Sequence, residues 1–174
     1  MIVALDANCL VKWAAQSKSD DIARLDELLR SVAAKNGKIV IPMPCFAEYL
    51  VGTDEATAAW ISALERRKSV ALAPFDRRAA FECALLDRRA LSAGDKKGGR
   101  QDPWQKIKID RQIIAIARVQ RADELISDDG GLRSTALATG MAVRAIVELD
   151  LPDSARQTSL DLPELGSVAS DGRT

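Results

Sequence analysis

Ile2-Val3-Ala4-Leu5-Asp6-Ala7-Asn8 is a stretch in which four apolar residues lead directly into an acid. A short, continuously apolar run of this kind is typical of a strand that is buried on both faces of a parallel sheet. The acid that follows such a strand lies at the carboxyl edge of the sheet, where parallel α/β sheets bind their ligands. The segment therefore predicts both a fold class and the position of a site.

Further strands are predicted along the chain, and helical patterns separate them. The strand candidates are residues 38–43, 69–73, 124–127 and 141–147. Helical patterns cover residues 9–36 with a break near 17–19, a short segment after Pro44, and residues 53–67, 76–91, 109–121 and 130–140. Because strands alternate with helices, we predict an α/β fold: a single three-layer domain with a central parallel sheet of about five strands flanked by helices.

The length and composition predict one domain followed by a tail. A chain of 174 residues can bury one substantial core. We expect the domain to span residues 1–148 and the polar extension 149–174 to be mobile, or ordered only by a partner. Residues 93–107 are rich in glycine and lysine, which predicts a loop long enough to be functional.

The composition excludes several kinds of chemistry. Histidine is absent, which rules out Ser-His-Asp and Cys-His catalysis and the HExxH zinc site. The three cysteines have neither metal nor redox spacing, so we expect free buried thiols in a reducing cytoplasm. We expect no membrane association, because no apolar run approaches the roughly 20 residues of a membrane span and no secretory signal pattern is present.

Basic residues concentrate in one part of a chain whose formal net charge is zero. Between residues 88 and 118, nine lysines and arginines stand against three aspartates. A solvated helix face with a polar loop explains such an excess, and a surface that follows nucleic-acid phosphates is the alternative.

Four acids, Asp6, Glu48, Asp110 and Asp129, begin or end predicted elements beside apolar sequence. Asp6 and Asp129 follow strands, Glu48 lies one turn past the second strand, and Asp110 is predicted at a helix N-terminus. Two carboxylates about 4 Å apart repel each other by on the order of 4 kcal/mol at an effective dielectric constant near 20. Either a hard divalent cation such as Mg²⁺ or Mn²⁺ relieves this repulsion, or at least one acid stays protonated. Such a cation suggests phosphate chemistry, which then needs no histidine base.

Polar residues beside the strand ends are candidates to assist these acids. Asn8 and Ser127 could orient a carboxylate or a metal-bound water, and turn or capping roles are the alternative. Whether Asp128 or Asp129 faces the ion is open.

Three basic residues, Lys106, Lys108 and Arg111, flank Asp110 in the sequence. They are candidates to hold the scissile phosphate or its neighbours. A solvated helix surface is the alternative interpretation for all three.

These motifs resemble the PIN domain, and among PIN proteins the VapC-type toxins of bacterial toxin–antitoxin pairs. The resemblance covers residues 1 to about 148 and rests on four segments in the order of the family: 2–8, 44–50, 109–117 and 125–129. The last motif departs from the family. Ser127 stands in place of threonine, and Gly130-Gly131 and Leu132 occupy positions where a charged residue and phenylalanine are common. Since Ser127-x-Asp129 resembles the Thr-x-Asp of the family, the resemblance favours Asp129 over Asp128 as the residue that faces the ion.

The resemblance implies a metal-dependent ribonuclease whose acidic cluster holds Mg²⁺ or Mn²⁺. It also implies a cognate antitoxin protein that restrains the activity, and a homodimer. The sequence leaves the target open: transfer, ribosomal or messenger RNA, or DNA.

Two other functions are compatible with acids at a sheet edge. A receiver-like signalling domain needs two adjacent acids after the first strand and an aspartate after the third, where this chain has Pro74-Phe75. A catalytically silent RNA-binding or protein-interaction module would keep the fold and a vestigial site. The retention of all four acids argues against that module.

Overall fold

Five parallel strands form one sheet in the part of the chain that the structure, a computed structural model, describes: residues 1–15, 19–52 and 55–158. The strands are β1 Ile2–Leu5, β2 Lys38–Pro42, β3 Val70–Ala73, β4 Glu124–Ile126 and β5 Val143–Arg144. Their spatial order is β3-β2-β1-β4-β5, which places β1 at the centre. The predicted α/β fold with a parallel sheet of about five strands is confirmed.

Helices connect the strands, as a parallel sheet requires. They are α1 Ala7–Ala14, α2 Asp20–Ala34, α3 Met43–Val51, α4 Glu55–Glu65, α5 Arg77–Ser92, α6 Trp104–Val119, α7 Gly130–Ala138 and α8 Asp153–Thr158, with a 3₁₀ turn at Ile146–Glu148. Over the described residues, none of these helices has the length and apolar content that crossing a membrane demands.

The central strand β1 is apolar throughout because both of its faces are covered. Ala4 pairs with Val40 of β2 on one side and with Leu125 of β4 on the other. Val3 and Leu5 pack into one apolar cluster, whereas Ala4 packs into the other. Successive side chains of a strand point to opposite faces, so a strand between two helical layers has no position for a polar residue.

Two helical layers enclose the sheet. Buried side chains from α1, α2, α3 and α4 form the cluster on one face, and α5, α6 and α7 supply most of the cluster on the other. Helix α6 contributes an unbroken buried stretch over residues 113–117, so it lies at the centre of its layer. The layers therefore hold α6 rigidly against the sheet, which matters for the residues at its beginning.

Two predicted boundaries are wrong. Helix α6 begins at Trp104 after Pro103, so the predicted loop ends early and Asp110 lies in the second turn of the helix rather than at its N-terminus. Proline has a fixed φ that suits the start of a helix and ends the preceding loop. The predicted fifth strand over 141–147 shrinks to Val143–Arg144, because β5 is an edge strand with a partner on one side only and the chain then turns at Ile146–Glu148.

Several predicted segments lie partly or wholly outside the described residues. Leu149 is buried at 3% exposure and packs with the cluster of α1 and α2. Residues 159–174 lie outside the described residues, so the mobile extension over 149–174 stays a prediction. The predicted helix break near 17–19 and the helix start at Thr53-Asp54 also fall mainly outside them.

Two leucines of α7 offer a matched test of the core. Leu132 is 1% exposed and Leu137 is 61% exposed. We expect Leu132→Ala to lower the free energy of unfolding by about 2–5 kcal/mol, because it leaves a cavity in the α6–α7 layer. Leu137→Ala should change it by less than about 0.5 kcal/mol. Urea unfolding followed by circular dichroism measures both, and equal losses would contradict this packing.

Candidate active site

The order in which strands are added to the sheet reverses between β1 and β4, and the acidic residues lie at that point. The chain runs from β1 through β2 to β3 on one side and then returns to add β4 and β5 on the other. Such a switch opens a crevice beyond the carboxyl ends of the two strands. A cavity of about 410 Å³ lies there, and its lining includes the four acids singled out from the sequence: Asp6, Glu48, Asp110 and Asp129.

Asp6 is held by hydrogen bonds on both of its carboxylate oxygens. Its Oδ2 accepts from Ser127 Oγ and from Asn8 Nδ2, each at 2.7 Å, and its Oδ1 accepts from the Ala7 backbone N–H at 2.7 Å. Its own backbone N–H donates to the Ile126 carbonyl at 3.1 Å, which continues the pairing of β1 with β4. These bonds fix a carboxylate that is only 6% exposed. The two assisting residues predicted from the sequence therefore contact Asp6 directly.

Three of the acids are less acidic than usual. Burial raises the pKa of Asp6, and the hydrogen bonds from Ser127 and Ala7 offset this only in part. Burial also raises the pKa of Asp110. The pKa of Glu48, at the exposed rim, is raised by partial desolvation and then by the charge of Asp6. A positive charge placed in the cavity would therefore be stabilised.

Lys106 extends from α6 to the end of β4. Its Nζ lies 2.5 Å from Asp129 Oδ2 and 4.0 Å from Asp110 Oδ2, and its side chain is 40% exposed. Asp129 also caps α7 by accepting a hydrogen bond from the Leu132 backbone N–H at 2.8 Å. Burial acts to raise the pKa of Asp129, but the hydrogen bonds from Lys106 and Leu132, together with the charge of Lys106, outweigh it, and the pKa is lowered.

Asp128 does not line the cavity. Its Oδ2 accepts from Lys12 Nζ at 2.8 Å, and its Oδ1 accepts from the Ile146 backbone N–H at 2.9 Å. Asp128 thereby connects α1 to the 3₁₀ turn after β5. The geometry places Asp129, and not Asp128, among the other acids.

Arg100 pairs with one of the site residues, Asp110, although the sequence marked it only as one of many basic residues. Its Nη1 donates to Asp110 Oδ2 at 2.5 Å and to Thr135 Oγ1 at 3.1 Å, and its Nε donates to Asp102 Oδ2 at 2.9 Å. Gly131 leaves room for the guanidinium, since a Cβ at this position would lie 2.7 Å from the Arg100 Cζ. No sequence signal could have identified Arg100, because the contact depends on how the preceding loop folds back onto α6.

The other two basic candidates lie away from the cavity lining. Arg111 is 5% exposed, and its Nη1 donates to Asp87 Oδ1 of α5 at 2.6 Å. Lys108 is exposed, and its charge lowers the pKa of the Cys83 thiol on α5 against a larger rise from burial. Helix residues that share a face are three or four positions apart, whereas these two are one and two positions from Asp110.

The donors around the cavity fit a hard divalent cation in their chemistry. Carboxylate oxygens are the ligands that Mg²⁺ and Mn²⁺ prefer. The Lys106 ammonium already places a positive charge between Asp129 and Asp110. Among the described residues, however, no three carboxylate or thiol groups converge closely enough to hold an ion as they stand. Metal binding therefore requires these side chains to move together.

The pair of Asp110 and Arg100 makes a testable contribution to stability, because each side chain is 7% exposed. Without metal, we expect Asp110→Asn to lower the free energy of unfolding by about 1.5–3 kcal/mol, since the buried guanidinium loses one of its two carboxylate partners and keeps Asp102. The control is Glu82→Gln, which removes the partner of Arg118 at a more exposed position and should cost at most about 1 kcal/mol. Denaturant unfolding in EDTA measures both, and similar small losses would contradict the assignment.

The chain resembles known proteins in its fold. No protein-family model matches the chain, and no curated protein matches it significantly. Similar solved structures include VapBC2 from Rickettsia felis bound to a DNA fragment from its promoter, with a TM-score of 0.54 and 20% identity over 83% of this chain and 98% of that chain.

Two further VapBC structures are similar over comparable lengths. VapBC-1 from nontypeable Haemophilus influenzae has a TM-score of 0.58 and 17% identity, over 85% of this chain and 100% of that chain. DNA-bound VapBC from Salmonella typhimurium has a TM-score of 0.53 and 16% identity, over 84% and 98%. At these identities the likeness concerns the fold: the chain has the PIN-domain fold of these VapBC neighbours.

Proposed function

We propose that this chain is a divalent-metal-dependent endoribonuclease and the toxin of a toxin–antitoxin pair. Its metal ligands would be Asp6, Glu48, Asp110 and Asp129, and its cofactor Mg²⁺ or Mn²⁺. The observation that carries the proposal is that these four acids line one cavity at the switch point of the sheet. Acids so gathered destabilise a fold unless a cation compensates them, and a cation site at this edge is where an α/β sheet binds its ligand.

The residues around the cavity have distinct roles in this proposal. When bound, the cation supplies charge stabilisation at the phosphodiester and activates water for the attack. Ser127 and Asn8 keep Asp6 in one orientation through their hydrogen bonds to Oδ2. Glu48 is exposed at the rim and can turn inward. Lys106, once released from Asp129, is placed to pair with a substrate phosphate.

Partners are proposed from the structural neighbours. All three neighbours are VapBC proteins, and two of them are bound to DNA. We infer by likeness that a cognate antitoxin protein binds this chain. Homodimerisation is proposed from the family resemblance alone.

One observation favours a second candidate function. Asp110 and Asp129 are already paired with Arg100 and Lys106, so the site is partly neutralised by the protein itself. A catalytically silent PIN-fold module that binds RNA or a protein would need no more than this. Metal binding separates the two candidates, because only the nuclease depends on it.

Thermal unfolding tests the metal. We expect saturating Mn²⁺, at about 100 times its dissociation constant, to stabilise the fold by about 2.7 kcal/mol, which is about 5–10 °C in Tm for a chain of this size. The increase should be smaller near pH 5 than near pH 7, because the raised pKa values of Asp6, Glu48 and Asp110 keep these groups partly protonated in mild acid. Asp6→Asn should remove most of the increase. Identical melting with and without Mn²⁺ would favour the silent module.

RNA cleavage tests the activity. Glu48 is the best ligand to replace, because it is exposed and its loss leaves no buried charge unpaired. We expect Glu48→Gln to lower the rate of metal-dependent cleavage of total cellular RNA at least about 100-fold, a typical loss when electrostatic stabilisation of a transition state is removed. The control, Glu65→Gln, makes the same change on the exposed end of α4 and should cleave as wild type does. Equal cleavage by both variants would place the chemistry elsewhere.

A further inference from the structure

Lys106 lies among three carboxylates beside the cavity. Its Nζ is 2.5 Å from Asp129 Oδ2, 3.8 Å from Asp102 Oδ1 and 4.0 Å from Asp110 Oδ2. Two of these acids, Asp110 and Asp129, line the cavity together with Lys106 itself, whereas Asp102 does not. The ammonium therefore lies beside oxygens that the proposed function assigns to a divalent ion.

Lys106 and a divalent ion would compete for the same oxygen of Asp129. The Oδ1 of Asp129 already accepts the Leu132 backbone N–H at 2.8 Å, so Lys106 holds the oxygen that the helix cap does not use. Two cations on one carboxylate oxygen repel each other at short range. Binding of the ion therefore requires the ammonium to leave, and the ion pair of Lys106 with Asp129 opposes metal binding.

Lys106 is free to leave, unlike the other cation near these acids. Its side chain is 40% exposed, and lysine carries its charge on a flexible four-carbon stem. Asp102, in the loop just before α6, offers it a partner outside the cavity lining. Arg100, in contrast, is 7% exposed and is held by both Asp102 and Asp110. Lys106 is therefore the mobile cation of the pair.

We propose that Lys106 is an internal competitor of the metal and that a phosphate of the RNA draws it away, so that RNA and metal bind cooperatively. The inference rests on the proposed function, because it presumes that Asp110 and Asp129 bind a metal. A phosphate at the cavity gives the ammonium a new anionic partner and releases Asp129 Oδ2 to the ion. Because such coupling is reciprocal, a bound ion also strengthens the binding of RNA.

Amine labelling of the wild-type protein tests the release of Lys106. We expect an amine-reactive ester to modify Lys106 slowly in EDTA and faster in saturating Mn²⁺, because the ion displaces the ammonium from Asp129. Lys108 is exposed and does not line the cavity, so it serves as the internal reference and should react equally in both conditions. Mass spectrometry of the peptides measures both rates in the absence of RNA.

Titration calorimetry with Mn²⁺, again without RNA, tests the competition. We expect Lys106→Gln to bind Mn²⁺ at least about tenfold more tightly than wild type, since its own ammonium no longer occupies the site. Lys106→Arg keeps a cation within reach of Asp129 and should bind no more tightly than wild type. The control Lys108→Gln removes an exposed charge that solvent screens, and it should match wild type within about twofold.

Adenosine 5′-monophosphate tests the coupling, because it supplies a phosphate and has no phosphodiester bond to cleave. We expect it to tighten Mn²⁺ binding to wild type about fivefold or more, and to tighten binding to Lys106→Gln clearly less. Equal tightening of both proteins, or of neither, would overturn the cooperativity.

Two results would overturn the competition itself. One is equal Mn²⁺ affinity of wild type and of a Lys106→Gln variant that circular dichroism shows to be folded. The other is a rate of Lys106 labelling that bound Mn²⁺ does not change. A wild type that binds no Mn²⁺ would instead overturn the proposed function.

Discussion

Repulsion among carboxylates at the switch point between β1 and β4 is the constraint on which the rest of the site depends. At about 4 Å, two such groups repel each other by about 4 kcal/mol at an effective dielectric constant near 20, against a domain stability of only about 5–15 kcal/mol. The protein offsets this repulsion with Lys106 and Arg100, each 2.5 Å from a carboxylate. A bound cation and a protonated acid, the two remedies expected from the sequence, are therefore joined by a third: cations of the chain itself.

Helix α6 belongs both to the core and to this site. Its residues 113–117 are buried against the sheet, and its earlier turns carry Lys106 and Asp110 to the cavity. These two residues are four positions apart, so they share one face of the helix. The apolar layer that fixes α6 therefore also fixes the distance between a positive and a negative group of the site.

Local sequence patterns predicted most of the strands and helices. They gave wrong boundaries where contacts with neighbouring elements determine where a strand or helix begins or ends. The run Ile2–Leu5 has no polar position and could only be a strand covered on both faces. The prediction failed at the end of β5, because an edge strand has one partner and ends where that partner ends. It also failed at the start of α6, where the polar composition of the loop concealed a helix that begins after Pro103.

The order of the residues alone specified the alternating elements, the parallel sheet and the four acids at its edge, since periodicity is local and parallel strands end at one edge. Only the tertiary structure shows that Asp129 rather than Asp128 lines the cavity and that Arg100 pairs with Asp110. The tertiary structure also shows that Lys108 and Arg111 do not line the cavity. Each of these outcomes depends on the direction of a side chain and on its contacts with other elements, and no local pattern encodes either.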